Sequence, residues 1–260
     1  LPVLAVLTIP AAGSEQSVRC VISHHGTKAG IGAECLRPAA AIVNPECFMT
    51  LPRHQVAAGV VDMISHIMER YFTRTTATAY VDAQSEAAMR TAIEFGPKVW
   101  ADARDYDSWC QIGMVGSFAH NGYFGLGREE DWGCHNMEHE LSAIYDVAHG
   151  AGLAVVTPAW MRHIYKEHLP IFVQFAVNVM GVGGGLRDLE AVALEGIRRL
   201  QAFFTEMGQP STLAGLGIDS RHLAQMAYKA THWPDGSPKP LGGLKKLSEQ
   251  DALAVYQLAL

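Results

Sequence analysis

Charge is sparse in this chain and leans acidic. Asp, Glu, Lys and Arg make up 18% of 260 residues, with 20 basic against 26 acidic side chains, a net charge of −6 and a pI near 6.0. That balance gives no basic footprint for a polyanion, so nucleic acid is not an expected partner. Cysteine is also scarce. Cys20, Cys35, Cys47, Cys110 and Cys134 are odd in number, widely spaced and free of any CxxC pair, which excludes a disulfide framework and points to reduced thiols in a cytoplasmic protein. The apolar opening, Leu1 to Pro10, lacks a basic start and is too short to span a bilayer, so no membrane attachment is expected and the stretch reads as a strand. Two hydrolase motifs are missing as well. His139-Glu140 is followed by Leu141, Ser142 and Ala143, so there is no HExxH, and no G-x-S-x-G occurs. Internal repeats and low-complexity tracts are absent.

What is present is apolar: 49% hydrophobic residues, enough to bury a full core in one large domain or two small ones. Residues 1–45 alternate short apolar runs with turn residues, predicting strands at Leu4–Ile9, Val18–Ser23 and Ala39–Val43, punctuated by Gly13, Gly26 and Gly30-Ile31-Gly32. From Pro52 the period changes to a helical one, with Val56, Val60, Met63, Ile64, Ile67 and Met68 on a stripe that runs to about Arg74. Further helices are predicted at 77–103, 108–122, 151–165 (interrupted early by Pro158), 170–180, 186–207, 220–230 and 248–258. Ser248 with Asp251 three positions on resembles a capping box. The one glycine run, Gly183-Gly184-Gly185, sits between helical patterns and reads as a helix end and linker; a phosphate cradle would lie between a strand and the helix it opens. His120 reads as a polar helix end, His163 and His168 as solvated, and Pro234 to Pro240 as a loop. His232 and Trp233, just ahead of that loop, remain unassigned.

Histidine is plentiful, twelve in all, and two stretches concentrate it. Asp62 and His66 are four apart, hence on adjacent turns of one helix face. His135 and His149 are 14 apart, with Gly150 following, a spacing that suits one ligand near a helix and another where the chain returns after a turn. One carboxylate and three imidazoles would suit Zn²⁺ or Fe²⁺ and leave a further position for a substrate oxygen. A lone i, i+4 Asp/His pair is more often a helix-surface pair, so spacing alone leaves both readings open.

The stretches Val60–Glu69, Asp131–Ala143 and Ala148-His149-Gly150 resemble the iron-containing (group III) alcohol dehydrogenases, and most closely their butanol dehydrogenase-like branch, over nearly the whole chain. The resemblance implies a mainly α fold: the multi-helical C-terminal domain of the dehydroquinate synthase-like/iron-containing alcohol dehydrogenase fold, preceded by a small β remnant of a Rossmann-like domain. Residues 1–50 would be that remnant and 51–260 the helical metal-binding catalytic domain. It further implies Asp62, His66, His135 and His149 as ligands of a divalent iron or zinc ion, and NAD or NADP as hydride carrier. A small alcohol or aldehyde would be the substrate, and the assembly a homodimer. His139, one turn after His135, is assigned to proton relay. Thr8 and Ser14 match the family's segment beside the nicotinamide. Lys28, ten residues before Pro38, matches a lysine used near the nucleotide.

Departures from the family pattern bear on the cofactor. Ala12 stands where many members have a second Thr, and the family's Gly-Gly-Gly-Ser pyrophosphate loop does not occur. The chain opens without Met on an apolar run, so residues upstream are expected to have been lost. Two other functions therefore stand beside a dehydrogenase: a metal-binding catalytic-domain fragment without dehydrogenase activity, and a metal-dependent hydrolase or lyase.

Overall fold

The computed structural model describes residues 2–24, 27–183 and 188–260. The glycine-run positions 184 and 185, the start of the helix predicted at 186 and the turn residue Gly26 lie outside them.

The chain begins with two small sheets. Strand β1 (Leu4–Val6) pairs in parallel with β4 (Ala40–Ile42), Leu4 opposite Ala40 and Val6 opposite Ile42. Between them β2 (Arg19–His24) and β3 (Thr27–Gly32) form an antiparallel hairpin in the register Arg19 to Gly32 and Ser23 to Lys28. The second arm corrects the sequence reading, which took Gly30 and Gly32 as turn punctuation. Backbone ladders need no side chain, and Val21 and Ile22 on β2 supply the strand preference that β3 lacks. Lys28 anchors the hairpin to the helical body, donating from Nζ to the Ser142 hydroxyl at 2.6 Å.

The rest is helical. Helix α1 (Arg53–Tyr71) follows Pro52, whose fixed φ suits a helix entry, and it is buried from Val56 through Tyr71. Helix α1 is enclosed by α2 (Ala79–Ala101), α3 (Tyr106–Ala119) and α5 (His149–Ile164), which bury even its polar Asp62, His66, Glu69 and Arg70. The approach to it is close: a Cβ on Gly59 would lie 2.7 Å from the Pro10 carbonyl oxygen. Helix α4 (Gly133–Tyr145) lies against α5, and α6 (Leu169–Asn178), α7 (Leu189–Glu206), α8 (Leu223–Thr231) and α9 (Glu249–Leu258) complete the layer. At the end of α1 Phe72 stacks on Phe172 with centroids 4.7 Å apart and meets Trp160 edge-on at 5.7 Å.

Four local features fix the helices around the site. Asp131 is buried just before α4 and accepts from the backbone N–H groups of Gly133, Gly243 and Leu244 at 2.8, 2.8 and 2.6 Å, tying the start of α4 to the loop before α9. Pro158 does not interrupt α5; one lost backbone bond is outweighed by the burial of the residues on either side of it. The capping box is present, with Ser248 Oγ accepting from the Asp251 N–H and the Asp251 carboxylate from the Ser248 N–H. His163, read as solvated, instead joins α5 to α9 through Nε2 and Asp251 Oδ1 at 2.8 Å. No helix among the described residues is long and apolar enough to cross a membrane.

Candidate metal centre

Three histidine nitrogens converge on one carboxylate oxygen. Asp62 Oδ1, from the middle of α1, lies 3.4 Å from Nε2 of His66, one turn further on, and 3.7 Å from Nε2 of both His135 and His149. His135 comes from the first turn of α4 and His149 is the first residue of α5. Ligand atoms bound at about 2.1 Å to a tetrahedral ion lie roughly 3.4 Å from one another; the three distances from Asp62 Oδ1 are close to that edge, and Asp62, His66 and His135 have ligand atoms within 4.8 Å of one another, a group that does not include His149. Asp62 Oδ1 and His135 Nε2 are buried without a hydrogen-bond partner among the described residues. Unpaired polar atoms of this kind are costly, and a cation between them is the natural compensation. The donor set therefore fits a divalent ion of zinc or ferrous type.

Carboxylates behind the rings set their orientation. Glu69 Oε1 accepts from both the backbone N–H and ring Nδ1 of His135, at 2.8 and 3.0 Å. Glu138 Oε2 pairs with Nδ1 of His149. Both bonds turn the Nε2 lone pairs inward, the arrangement by which outer carboxylates fix ligand tautomers. Glu138, His139 and His149 also form a triad with ligand atoms within 4.8 Å, as do Asp62, His66 and His135. Because the Glu138 carboxylate already holds Nδ1 of His149, its place is behind that ring.

The electrostatics divide the buried imidazoles. Burial first, then the neighbouring imidazoles and Arg70, hold His66 well below the ordinary histidine range. Burial and then the charge of Arg70 bring His120 down to about 3. His135 goes the other way: burial opposes its charge, but the Asp62 and Glu69 carboxylates beside it outweigh that and lift it to about 9. Burial likewise opposes ionisation of Asp62, yet His135 and the other imidazoles around it hold its pKa below the usual carboxylate value.

The cluster forms part of the lining of a cavity of about 1010 Å³. Ser14, Lys28 and His139 line it too, the His139 ring 5.5 Å from that of His149. Thr8 is exposed and is not among the lining residues. Several lining or supporting residues were not read from the sequence. His120 ends α3, as expected, but its ring stacks on His66 at 4.4 Å. Trp132 presents its edge to His66, His120 and His135 and carries the Arg70 guanidinium over its face at 4.6 Å. A signal existed for Glu69, which follows Asp62 by seven residues and so shares its helix face. His120, Trp132, His232 and Trp233 belong to helix ends and loops, where periodicity carries no such signal.

Comparison with known proteins defines the class. The sequence model of the Fe-containing alcohol dehydrogenase family, C-terminal, matches residues 56–259, and the chain belongs to that family. It is 36% identical over 260 residues to NADH-dependent butanol dehydrogenase A of Clostridium acetobutylicum, covering 99% of this chain and 66% of that protein. It is 37% identical over 262 residues to probable NADH-dependent butanol dehydrogenase 1 of Bacillus subtilis, again covering 66% of the relative. The crystal structure of NADH-dependent butanol dehydrogenase A from Thermotoga maritima matches with a TM-score of 0.92 and 32% identity, over 100% of this chain and 66% of that one. The chain thus spans 66% of the length of each of these relatives.

Proposed function

We propose that the chain serves an NAD(P)(H)-dependent, metal-dependent alcohol dehydrogenase or aldehyde reductase acting on small alcohols and aldehydes. Residues 51–260 would hold the metal, and residues 1–50 would contribute to the cofactor side. The observation that carries this reading is the convergence of His66, His135 and His149 on Asp62 Oδ1 at the wall of a cavity large enough for a small substrate. Family membership supplies the reaction class, and relatives carry the name NADH-dependent butanol dehydrogenase. The wide spacing of the five cysteines supports a cytoplasmic setting.

A divalent iron or zinc ion held there would supply Lewis-acid polarisation of a hydroxyl or carbonyl oxygen, and a nicotinamide dinucleotide would exchange the hydride. Asp62 would contribute the negative charge of the site, and the three imidazoles would each offer a nitrogen donor to a bound ion, His135 giving up its proton as the ion enters. Glu69 and Glu138 hold two of those rings in the donor tautomer. His139 carries the proton between the substrate oxygen and water. Burial and then the nearby His149 and His135 push its pKa down to about 3, so it rests neutral and holds the proton only in passing. Ser14 and Lys28, at the cavity wall, and Thr8 are assigned to the nicotinamide dinucleotide by likeness to the family.

The test is metal analysis after reconstitution with zinc or iron, together with butanal reduction by NADH and NADPH. One ion per chain and nucleotide-dependent turnover, both lost in His135→Ala, are expected. Metal uptake without nucleotide binding would leave a metal-binding chain and no dehydrogenase. Ester or phosphate turnover without nucleotide would replace the assignment with a hydrolase.

A further inference from the structure

One part of the cavity wall has no task in this scheme. After α8 the chain folds back on itself: Lys239 N donates to the Thr231 carbonyl at 2.7 Å, Trp233 N to Ser237 at 2.8 Å and Gly236 N to Trp233 at 2.9 Å. Asp235 Oδ1 closes the turn, accepting from the Ser237 N–H and hydroxyl at 2.9 and 2.6 Å. The turn brings its two arms together, with Lys239 Nζ 5.6 Å from the centroid of the Trp233 ring. Trp233 and Lys239 both line the cavity that contains the candidate metal ligands.

The cavity-lining lysines differ in what holds them. Lys28 donates to Ser142, and Lys229 pairs with Glu140 at 2.9 Å. Lys239 is half-buried, and among the described residues its ammonium makes no hydrogen bond or ion pair, only the approach to the Trp233 ring. The two carboxylates that line the cavity are already engaged, Asp62 with the histidines and Glu140 with Lys229. Glu140 acts on the Lys239 ammonium without pairing with it, so this partly desolvated charge has no bonded anion, and a bound anion would relieve it. Burial accordingly lowers the Lys239 pKa, and the charges of Lys239 and Lys28 are both felt at His139. Lys239 and His139, the residue assigned to the proton, line the same cavity.

We propose that Lys239, with Trp233 as its apolar flank, is a subsite for an anionic group on the substrate, so that the favoured alcohols and aldehydes carry a carboxylate away from the reacting carbon. The assignment rests on the dehydrogenase reading for its substrate class. The anion could also be a phosphate of the nucleotide, and the experiment separates the two sources.

The probes are 4-hydroxybutyrate and 1-butanol, titrated into the full chain by calorimetry with and without zinc, alongside NADH and NADPH. The wild type is expected to bind the hydroxy acid at least about tenfold more tightly than the alcohol. Lys239→Met should abolish that preference with zinc stoichiometry unchanged, and Lys239→Arg should keep most of it. Equal binding of the two probes by the wild type overturns the subsite, as does a preference that survives Lys239→Met. So does a variant that loses NADH and NADPH affinity while its preference for the acid persists, because the anion would then be the nucleotide's. Failure of the wild type to hold zinc, with the Lys239-dependent preference intact in metal-free protein, would count against the dehydrogenase reading and leave the anion site standing.

Discussion

A single oxygen of Glu69 takes two donors from His135, the backbone N–H at 2.8 Å and the ring Nδ1 at 3.0 Å. The carboxylate comes from the last turns of α1 and the histidine from the first turn of α4, so one side chain sets both where α4 begins and which nitrogen of His135 faces Asp62. Removing such an outer carboxylate typically costs 10–100-fold in metal affinity. Glu69→Ala is expected to weaken zinc binding by that order in a chelator competition, with Glu69→Gln losing less because its amide oxygen can still accept. Unchanged affinity in Glu69→Ala would mean that the ring is oriented by something else.

Gly150 follows His149 where α5 crosses α1. A Cβ there would overlap the Ala58 carbonyl oxygen and stand 2.7 Å from the carbonyl carbon, and neither backbone atom can move aside without shifting α1. Gly150→Ala should therefore destabilise the fold by about 2–3 kcal/mol, the upper part of the range for overpacking. In a chain of this size that is a fall in melting temperature of roughly 5–10 °C. Zinc affinity should fall with it, since His149 is the adjacent residue. A variant that melts within about 2 °C of wild type would show that the two helices have room to separate.

Much of this architecture was legible before the coordinates, for a physical reason. Every helix from α1 to α9 except α4, for which no helical range was expected, buries a stripe whose period appears in the sequence, and the box at Ser248 and Asp251 is a local exchange of hydrogen bonds between residues three apart. Asp62 and His66 were readable as one face for the same reason. The hairpin arm β3 was not, because Gly30 and Gly32 pair through backbone alone. Nor were His120, Trp132 and Lys239: each reaches the cavity from a helix end or a loop, and its position depends on how distant segments pack. Asp131 shows the dependence, since it joins residues more than a hundred positions apart.

The stability of the α5–α9 contact should depend on pH through Asp251. Partial burial opposes its ionisation, but the Ser248 N–H and hydroxyl, the His163 ring and the Lys245 ammonium outweigh it and hold the pKa well below the usual carboxylate value. A depressed folded-state pKa stabilises the fold above the unfolded value, near 4, and the contribution fades as pH drops from there toward the folded value. Asp251→Asn is expected to cost about 1 kcal/mol at pH 7, where the charge and part of the cap are lost. In urea titrations the gap between variant and wild type should narrow steadily below about pH 4. A gap that stays constant down to about pH 2 would mean that packing, not ionisation, carries the effect.

Metal removal is the broadest test, because it reads the centre without any assumption about substrate. Asp62 Oδ1 and His135 Nε2 are buried and unpaired, and a ligand that binds only the folded chain stabilises it by about 2.7 kcal/mol at a hundred times its dissociation constant. Saturating zinc should thus raise the melting temperature by roughly 5–10 °C, and a chelator should reverse the rise. Asp62→Asn keeps the shape of the side chain and removes its charge, so its melting temperature should respond far less to zinc. His66→Ala and His149→Ala should behave in the same way if the four residues act on one ion. Should zinc shift the melting temperature of Asp62→Asn as far as that of wild type, the ion would be bound elsewhere, and Glu138, His139 and His149 would be the next group to substitute.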